Sequence, residues 1–138
     1  MSATQFAALA RTTEPRIALR RFLVLDALVT GGNAVAYLAA SGPLARLLGV
    51  GSGLLLELGL VLAVYAAAVG LLASRPEPSA WAVRAVIETN LAWTLLSFAA
   101  VALWLSPSTA GVVWGVLQAL TVAGFAVLQY AALRAREA

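Results

Sequence analysis

Four polar side chains in the first apolar segment are spaced so that they lie on one face of a helix, and their chemical groups are of the kinds found in binding sites. Asp26, Thr30, Asn33 and Tyr37 follow one another at intervals of four, three and four residues. This spacing keeps all four side chains on one stripe of a helix. A carboxylate beside hydroxyl and amide groups suits cations, sugars and lipid headgroups alike. The stripe therefore predicts a binding site for a small solute, an ion or a lipid-derived molecule.

Polar side chains recur at helical spacing in two further apolar segments. Asn90 and Thr94 share a face of the third segment, and Gln118 and Gln129 share a face of the fourth. Because unsatisfied polar groups are costly in lipid, we expect these faces to point into a helix bundle. The predicted polar interior consists of Asp26, Thr30, Asn33, Tyr37, Glu88, Asn90, Trp93, Gln118 and Thr121. The alternative is that these side chains only hydrogen-bond neighbouring helices together.

The two carboxylates of this predicted interior allow two interpretations. Asp26 lies about one helical turn inside its span, at a depth similar to those of Glu88 and Arg84. In the first interpretation both acids form ion pairs with arginines such as Arg84 at the inner membrane boundary. In the second, two facing acids share a proton or bind a cation. Glu88 lies opposite Asn90 on its helix, so one of these two side chains is expected to face a second subunit.

The residue types that most catalytic sites require are missing from the sequence. It contains no cysteine and no histidine, which excludes disulfides, thiolate nucleophiles, imidazole catalysis and the usual zinc and haem ligands. Its glycines form neither a P-loop nor a Gly-x-Ser-x-Gly turn. The nine basic residues are all arginines and are dispersed between apolar segments, whereas nucleic-acid-binding modules have a clustered basic face. We predict no enzymatic activity, no cofactor, no metal and no nucleic-acid partner.

The elements that must position these side chains are membrane-spanning helices. Of the 138 residues, 62% are hydrophobic and 11% are charged, so the chain is more apolar and less charged than soluble globular domains are. Four apolar segments, each close to the ~20 residues that cross a bilayer as a helix, occupy about 22–40, 54–73, 85–105 and 110–133. We predict a single all-α domain, an integral membrane four-helix transmembrane bundle. Residues 1–20 are expected to form a cytoplasmic or interfacial N-terminal tail.

The first apolar segment also has the features of a cleavable signal, because Arg20-Arg21 precedes it. Asp26, Thr30 and Asn33 interrupt the apolar run, and three further spans follow it. A retained transmembrane helix is therefore the prediction.

The distribution of the arginines predicts the orientation of the bundle. Eight of the nine lie in the two tails and in the loop between spans two and three, and only Arg46 lies on the other side. By the positive-inside rule both termini are cytoplasmic, and we predict the bacterial cytoplasmic membrane. Arg46 belongs to segment 43–50, which is expected to form a short interfacial helix outside, and Glu57 is expected to pair with it.

A short stretch at the start of the first span resembles a known family. Arg21-Phe22-Leu23-Val24, followed by Thr30, is similar to the opening of the first helix of GtrA-like proteins, and the four-span outline resembles DoxX-like proteins as well. The resemblance implies a small bacterial membrane protein, and GtrA-like proteins are linked to moving lipid-attached sugars. This chain has Asp26 where that family usually has glycine, so no functional residue is carried over.

These observations lead to one predicted function and one alternative. The prediction is a transporter, channel-like or ligand-binding bundle for a small solute, ion or lipid-derived molecule, embedded in a lipid bilayer. Gly111-x-x-x-Gly115 supports close helix packing within or between subunits, and a homo-oligomer is expected. The alternative is an accessory subunit of a larger membrane complex that has no ligand of its own.

Overall fold

The protein is a bundle of apolar helices. The computed structural model describes the backbone of residues 3–137 and the side chains of residues 15–137. Within the described residues there is no strand, and the helices are α1 (Ala3–Ala39), α2 (Ser41–Leu48), α3 (Ser52–Ser74), α4 (Ala80–Ala99), which continues as a π-helix over Ala100–Trp104, and α5 (Thr109–Glu137). The all-helical fold class predicted from the sequence is confirmed.

Four of these helical stretches are long and apolar enough to cross a membrane. They are Pro15–Ala39, Ser52–Ser74, Ala80–Trp104 and Thr109–Glu137. Each matches one predicted span, so the four candidate spans are confirmed in number and order. Their outward faces carry exposed apolar side chains such as Leu28, Val64, Leu95 and Val127, which is the surface that hydrocarbon requires.

The first helix is longer than the sequence analysis predicts, and Asp26 lies deeper in the bundle than expected. Helix α1 begins at Ala3, so the expected tail is helical from that residue onward. Asp26 is hydrogen-bonded to Asn90, which lies ten residues after Ala80 and so ~15 Å along the candidate span Ala80–Trp104. The carboxylate is therefore level with the middle part of that span, deeper than the one turn expected.

The helices pack in an order that leaves one side of the bundle open. Helix α1 packs against both α3 and α5, and α4 packs against α5, whereas α3 and α4 barely touch. The main apolar core lies at the end that carries the chain termini, where Leu19, Leu23, Val69, Val83 and Leu133 are buried together. The consecutive helices α3 and α4 are thus separated by a cleft.

The opposite end of the bundle is closed by α2, the short helix expected over 43–50. The backbone amide of Ser108 donates to the carbonyl of Leu48 at 3.1 Å, which ties the segment before α5 to the end of α2. A Cβ atom at Gly111 would collide with that carbonyl, and one at Gly115 would lie 2.8 Å from Val101 Cγ2. The Gly111-x-x-x-Gly115 pattern therefore serves close packing inside one chain.

The arginine-rich segments converge at the end that carries the chain termini. Arg16 forms an ion pair with Glu77 at 3.6 Å, and Arg84 forms one with Glu137 at 3.3 Å. The Arg20 guanidinium donates to the carbonyl of Ala73 at 3.2 Å. These contacts join α1, the α3–α4 loop, α4 and α5 at one end. Which side of a membrane this end faces remains a prediction from the positive-inside rule.

Candidate functional site

The most buried acid of the described chain lies where α1, α4 and α5 meet. Asp26 is 1% exposed. Its Oδ2 atom accepts hydrogen bonds from Asn90 Nδ2 at 2.9 Å and from Gln129 Nε2 at 2.8 Å. Its Oδ1 atom accepts one from the Thr30 hydroxyl at 3.0 Å. Three donors from three helices thus hold one carboxylate.

Further hydrogen bonds, from Asn90 to Gln129 and from Tyr65 to Asn90, orient the two amides that hold the carboxylate. Asn90 Nδ2 also donates to Gln129 Oε1 at 3.0 Å, and Asn90 Oδ1 accepts from the Tyr65 hydroxyl at 2.9 Å. If either amide were flipped, its oxygen would face the carboxylate oxygen of Asp26, and two acceptors would meet. Both amides therefore point their NH2 groups at the carboxylate. We call these five residues, Asp26, Thr30, Tyr65, Asn90 and Gln129, the Asp26 cluster.

The hydrogen bonds of the Asp26 cluster suit a negative charge. Hydrogen bonds to a charged group contribute about 1.5–3 kcal/mol each, more than bonds between neutral groups. An ionised carboxylate accepts on both oxygens, and here both oxygens do accept. In the described part of the chain no basic side chain lies within 4.0 Å of Asp26, since the two ion pairs there involve other acids. Among the side chains that the structure describes, two amides and one hydroxyl therefore hold this carboxylate and no cation pairs with it.

Small residues let the three helices approach closely enough for this cluster to form. Ala119 and Ala126 on α5 are fully buried, so α5 lies close to its neighbours on either side of the cluster. The Thr94 hydroxyl donates to the Asn90 carbonyl at 2.9 Å and lies 3.3 Å from the Ala119 carbonyl, which adds a contact between α4 and α5. Asn90 is therefore held on both its backbone and its side chain.

A cavity of about 250 Å³ adjoins the cluster on the side of α2; we call it the polar cavity for its hydrogen-bonding side chains, although Val29, Leu62, Leu117 and Val122 also line it. Thr30 belongs to both, because it lines the cavity and donates to Asp26. The polar and aromatic side chains that line the cavity are Thr30, Asn33, Tyr37, Trp93, Trp114, Gln118, Thr121 and Phe125. Six of the nine residues predicted from the sequence as a polar interior thus line one cavity, and Asp26 and Asn90 lie beside it.

The polar groups around this cavity are oriented by one another. Trp93 Nε1 donates to Gln118 Oε1 at 2.7 Å, and Trp114 Nε1 donates to the Tyr37 hydroxyl at 2.7 Å. Gln118 Nε2 donates to the carbonyl of Gly115 at 2.9 Å. The amide and both indoles therefore have fixed positions in the wall of the cavity.

A larger and mostly apolar cavity continues from the polar one toward the α2 end. It measures about 410 Å³ and is lined by Leu48, Trp104 and Pro107 at that end. The two cavities share Tyr37, Trp93, Trp114 and Gln118 in their walls. Together they form a continuous lining from the α2 end of the bundle to Thr30.

The structure corrects the expected ion pairs. Arg84 pairs with Glu137 on α5 and with neither Asp26 nor Glu88, because the end of α5 reaches the start of α4. Glu57 and Arg46 are both exposed, and no ion pair within 4.0 Å joins them in the described residues. Glu88 is exposed on the outer face of α4, outside the polar interior to which we assigned it.

Two members of the Asp26 cluster were not among the predicted site residues. Gln129 lies on the same face of α5 as Gln118, so the sequence contained a signal for it. Tyr65 is a single tyrosine in an otherwise apolar stretch of α3, where no polar stripe marks it. Its role follows only from the packing that brings α3 beside Asn90.

Comparison with known proteins gives no match. No protein-family model, no curated protein and no solved structure matches this chain. The likeness of the first span to GtrA-like proteins therefore remains a prediction, and the site is argued from its own geometry.

Proposed function

We propose that this chain is a membrane-embedded binding protein of the transporter or channel kind, whose solute is small and positively charged. The observation that carries the proposal is Asp26, a buried carboxylate that accepts hydrogen bonds from three donors and, among residues 15–137, has no basic side chain within 4.0 Å. A buried charge without a partner is costly, and a cation bound nearby offsets part of that cost. The polar cavity next to Thr30 is the place where such a cation binds.

The lining of the polar cavity supports a small cation as its occupant. The cavity volume of about 250 Å³ is below the ~300–1,000 Å³ of pockets that take drug-sized ligands. Trp93, Trp114 and Tyr37 line it, and aromatic rings attract cations to their faces, while Asn33 and Gln118 provide carbonyl oxygens. Thr30 connects this lining to the negative charge of Asp26.

The exposed acid of α4 supports an oligomer. Glu88 lies eight residues after Ala80, which is ~12 Å along the helix, and its side chain is exposed. A charged side chain facing lipid at the centre of a span costs about 2.5–3.5 kcal/mol on insertion scales. A second subunit that covers this face of α4 removes the cost, and we propose a homo-oligomer for this reason.

The test is ligand-dependent thermal stability of the purified protein in detergent. The probes are sodium, potassium, ammonium and tetramethylammonium chlorides, with choline as a larger cation and sucrose as a neutral solute. We expect at least one cation to raise the melting temperature of the wild type and sucrose to leave it unchanged. A ligand at a hundred times its Kd stabilises by about 2.7 kcal/mol, which is readily measured.

The decisive variant is Asp26→Asn, and Glu88→Gln is its matched control. The asparagine oxygen can accept from Asn90 and Gln129 while its amide donates to the Thr30 hydroxyl, so the variant keeps the hydrogen bonds of the cluster. We expect Asp26→Asn to weaken cation binding at least tenfold and Glu88→Gln to leave it unchanged. An unaltered response of Asp26→Asn would refute the site. A wild type that no solute stabilises and that co-purifies with another protein in fixed ratio would establish the accessory-subunit alternative.

A further inference from the structure

The cleft between α3 and α4 is a further cavity, separate from the polar cavity. It measures about 650 Å³, and its walls are small or apolar, with Ala68 and Leu72 on α3 and Ala82, Ala85 and Val86 on α4. Empty space in a condensed bilayer forfeits the van der Waals contacts of every atom that lines it. The cleft is therefore filled in a membrane, and its length and the charge at its mouth indicate which molecule fills it.

The mouth of the cleft is cationic and interfacial. Arg75 and Ser79 line it together with Trp81, whose side chain is 75% exposed. Glu77 also lies there, but it forms an ion pair with Arg16 at 3.6 Å, and the described ion pairs leave Arg75 without an acidic partner. An arginine and an exposed indole at the edge of an apolar span are typical of contacts with lipid headgroups.

The length of the cleft matches one leaflet of a bilayer. Arg75 at the mouth and Tyr65 at the inner end both line it, and they are ten residues apart on α3. Ten residues of helix rise ~15 Å. This is half of the ~30 Å hydrocarbon thickness, which is the depth that one lipid chain occupies. The Tyr65 hydroxyl is bound to Asn90, so the end of the cleft is closed by the tyrosine ring.

We propose that the α3–α4 cleft binds one acyl chain of an anionic phospholipid, with the headgroup phosphate on Arg75. The apolar walls contact the acyl chain, and the Tyr65 ring contacts its end. The guanidinium of Arg75 selects a headgroup that is negatively charged. The proposal does not depend on the cation site, because Arg75 and the cleft walls lie outside the polar cavity and the Asp26 cluster except for Tyr65.

The experiment compares two lipids on delipidated full-length protein in detergent. Phosphatidylglycerol and phosphatidylcholine with identical chains are added, and the melting temperature is measured. We expect phosphatidylglycerol to raise it by about 4 °C more than phosphatidylcholine does, as for a ligand that binds only the folded state. Arg75→Gln should abolish this difference, whereas Arg134→Gln, which removes an exposed arginine of α5 at the same end, should keep it.

A second pair of variants tests the walls of the cleft. Ala85→Leu fills the cleft and should remove the stabilisation by both lipids, whereas Ala131→Leu adds the same bulk to an exposed position of α5 and should retain it. An undiminished phosphatidylglycerol preference in both Arg75→Gln and Ala85→Leu would overturn the proposal. So would a second copy in the cleft. Since the chain has no cysteine, efficient disulfide dimerisation of Ala82→Cys in membranes would reveal that copy.

Discussion

Helix α4 has two neighbouring sides that differ in how they are held. Toward α5 it is closed by packing, and on this side Asn90 is joined to Asp26 of α1 and to Gln129 of α5 by hydrogen bonds of 2.9 and 3.0 Å. Toward α3 it is open, and in the described chain the polar contact across the cleft comes from the Tyr65 hydroxyl, which donates to Asn90 Oδ1 at 2.9 Å and lies 3.3 Å from the Val86 carbonyl.

This difference shows what selects neighbours inside a membrane. Helices α3 and α4 follow each other in the chain, yet α4 packs against α5. Lipid chains are as apolar as leucine, so burial of apolar side chains does not favour one helix neighbour over another. Small residues and polar side chains do, and α1, α4 and α5 contribute Thr30, Asn90 and Gln129 around the charge of Asp26.

Removal of the Asn90 amide, at the centre of the closed side of α4, should cause the largest loss in the free energy of unfolding. Asn90→Leu deletes one donor to Asp26 and the acceptor of Tyr65, and it leaves a buried carboxylate underbonded. We expect a loss of about 3 kcal/mol in the free energy of unfolding, because breaking a buried charged network costs this order. Denaturation in mixed detergent micelles measures it.

The control for Asn90→Leu is its neighbour on the exposed face. Leu91→Ala changes a side chain that is 45% exposed and should alter the free energy of unfolding by less than about 0.5 kcal/mol. Equal effects of the two variants would mean that the Asp26 cluster does not hold α4 in place.

Adding bulk to an alanine should separate the two sides of α4 directly. Ala126 on α5 is 1% exposed beside the cluster, whereas Ala85 lines the open cleft. Ala126→Leu should overpack the interface and cost about 2 kcal/mol, while Ala85→Leu should be nearly neutral in lipid-free detergent. Both are measured by the same unfolding assay. Similar costs at the two positions would show that the cleft is closed in solution.

The sequence predicts the spans far better than the contacts between them. Hydropathy and length suffice for four helices, because a bilayer fixes the length of an apolar helix. Helical periodicity also places Asp26, Thr30 and Asn90 on inward faces. It does not reveal which helix faces which, and for this reason the sequence gives no signal for Tyr65 and predicts the wrong acid as the partner of Arg84. Glu88 was included as a polar side chain in a span, although it lies opposite Asn90 on α4.

The smallest expected change in the free energy of unfolding follows from removing the Tyr65 hydroxyl, which joins the open side of α4 to the closed side. Tyr65→Phe keeps the ring that ends the cleft and removes the donor to Asn90 Oδ1. Leaving that buried oxygen without its partner should cost about 1 kcal/mol in the free energy of unfolding. Tyr130→Phe is the control, since the Tyr130 side chain is 51% exposed on α5 and its loss of a hydroxyl should cost little.

A double-mutant cycle decides whether this cost belongs to the Tyr65–Asn90 contact. In the Asn90→Leu background the acceptor is gone, so Tyr65→Phe should then cost almost nothing, and the coupling energy should equal most of the single-variant loss. If Tyr65→Phe costs the same with and without Asn90, the hydroxyl acts through the Val86 carbonyl, which lies 3.3 Å away, and the open side is independent of the Asp26 cluster.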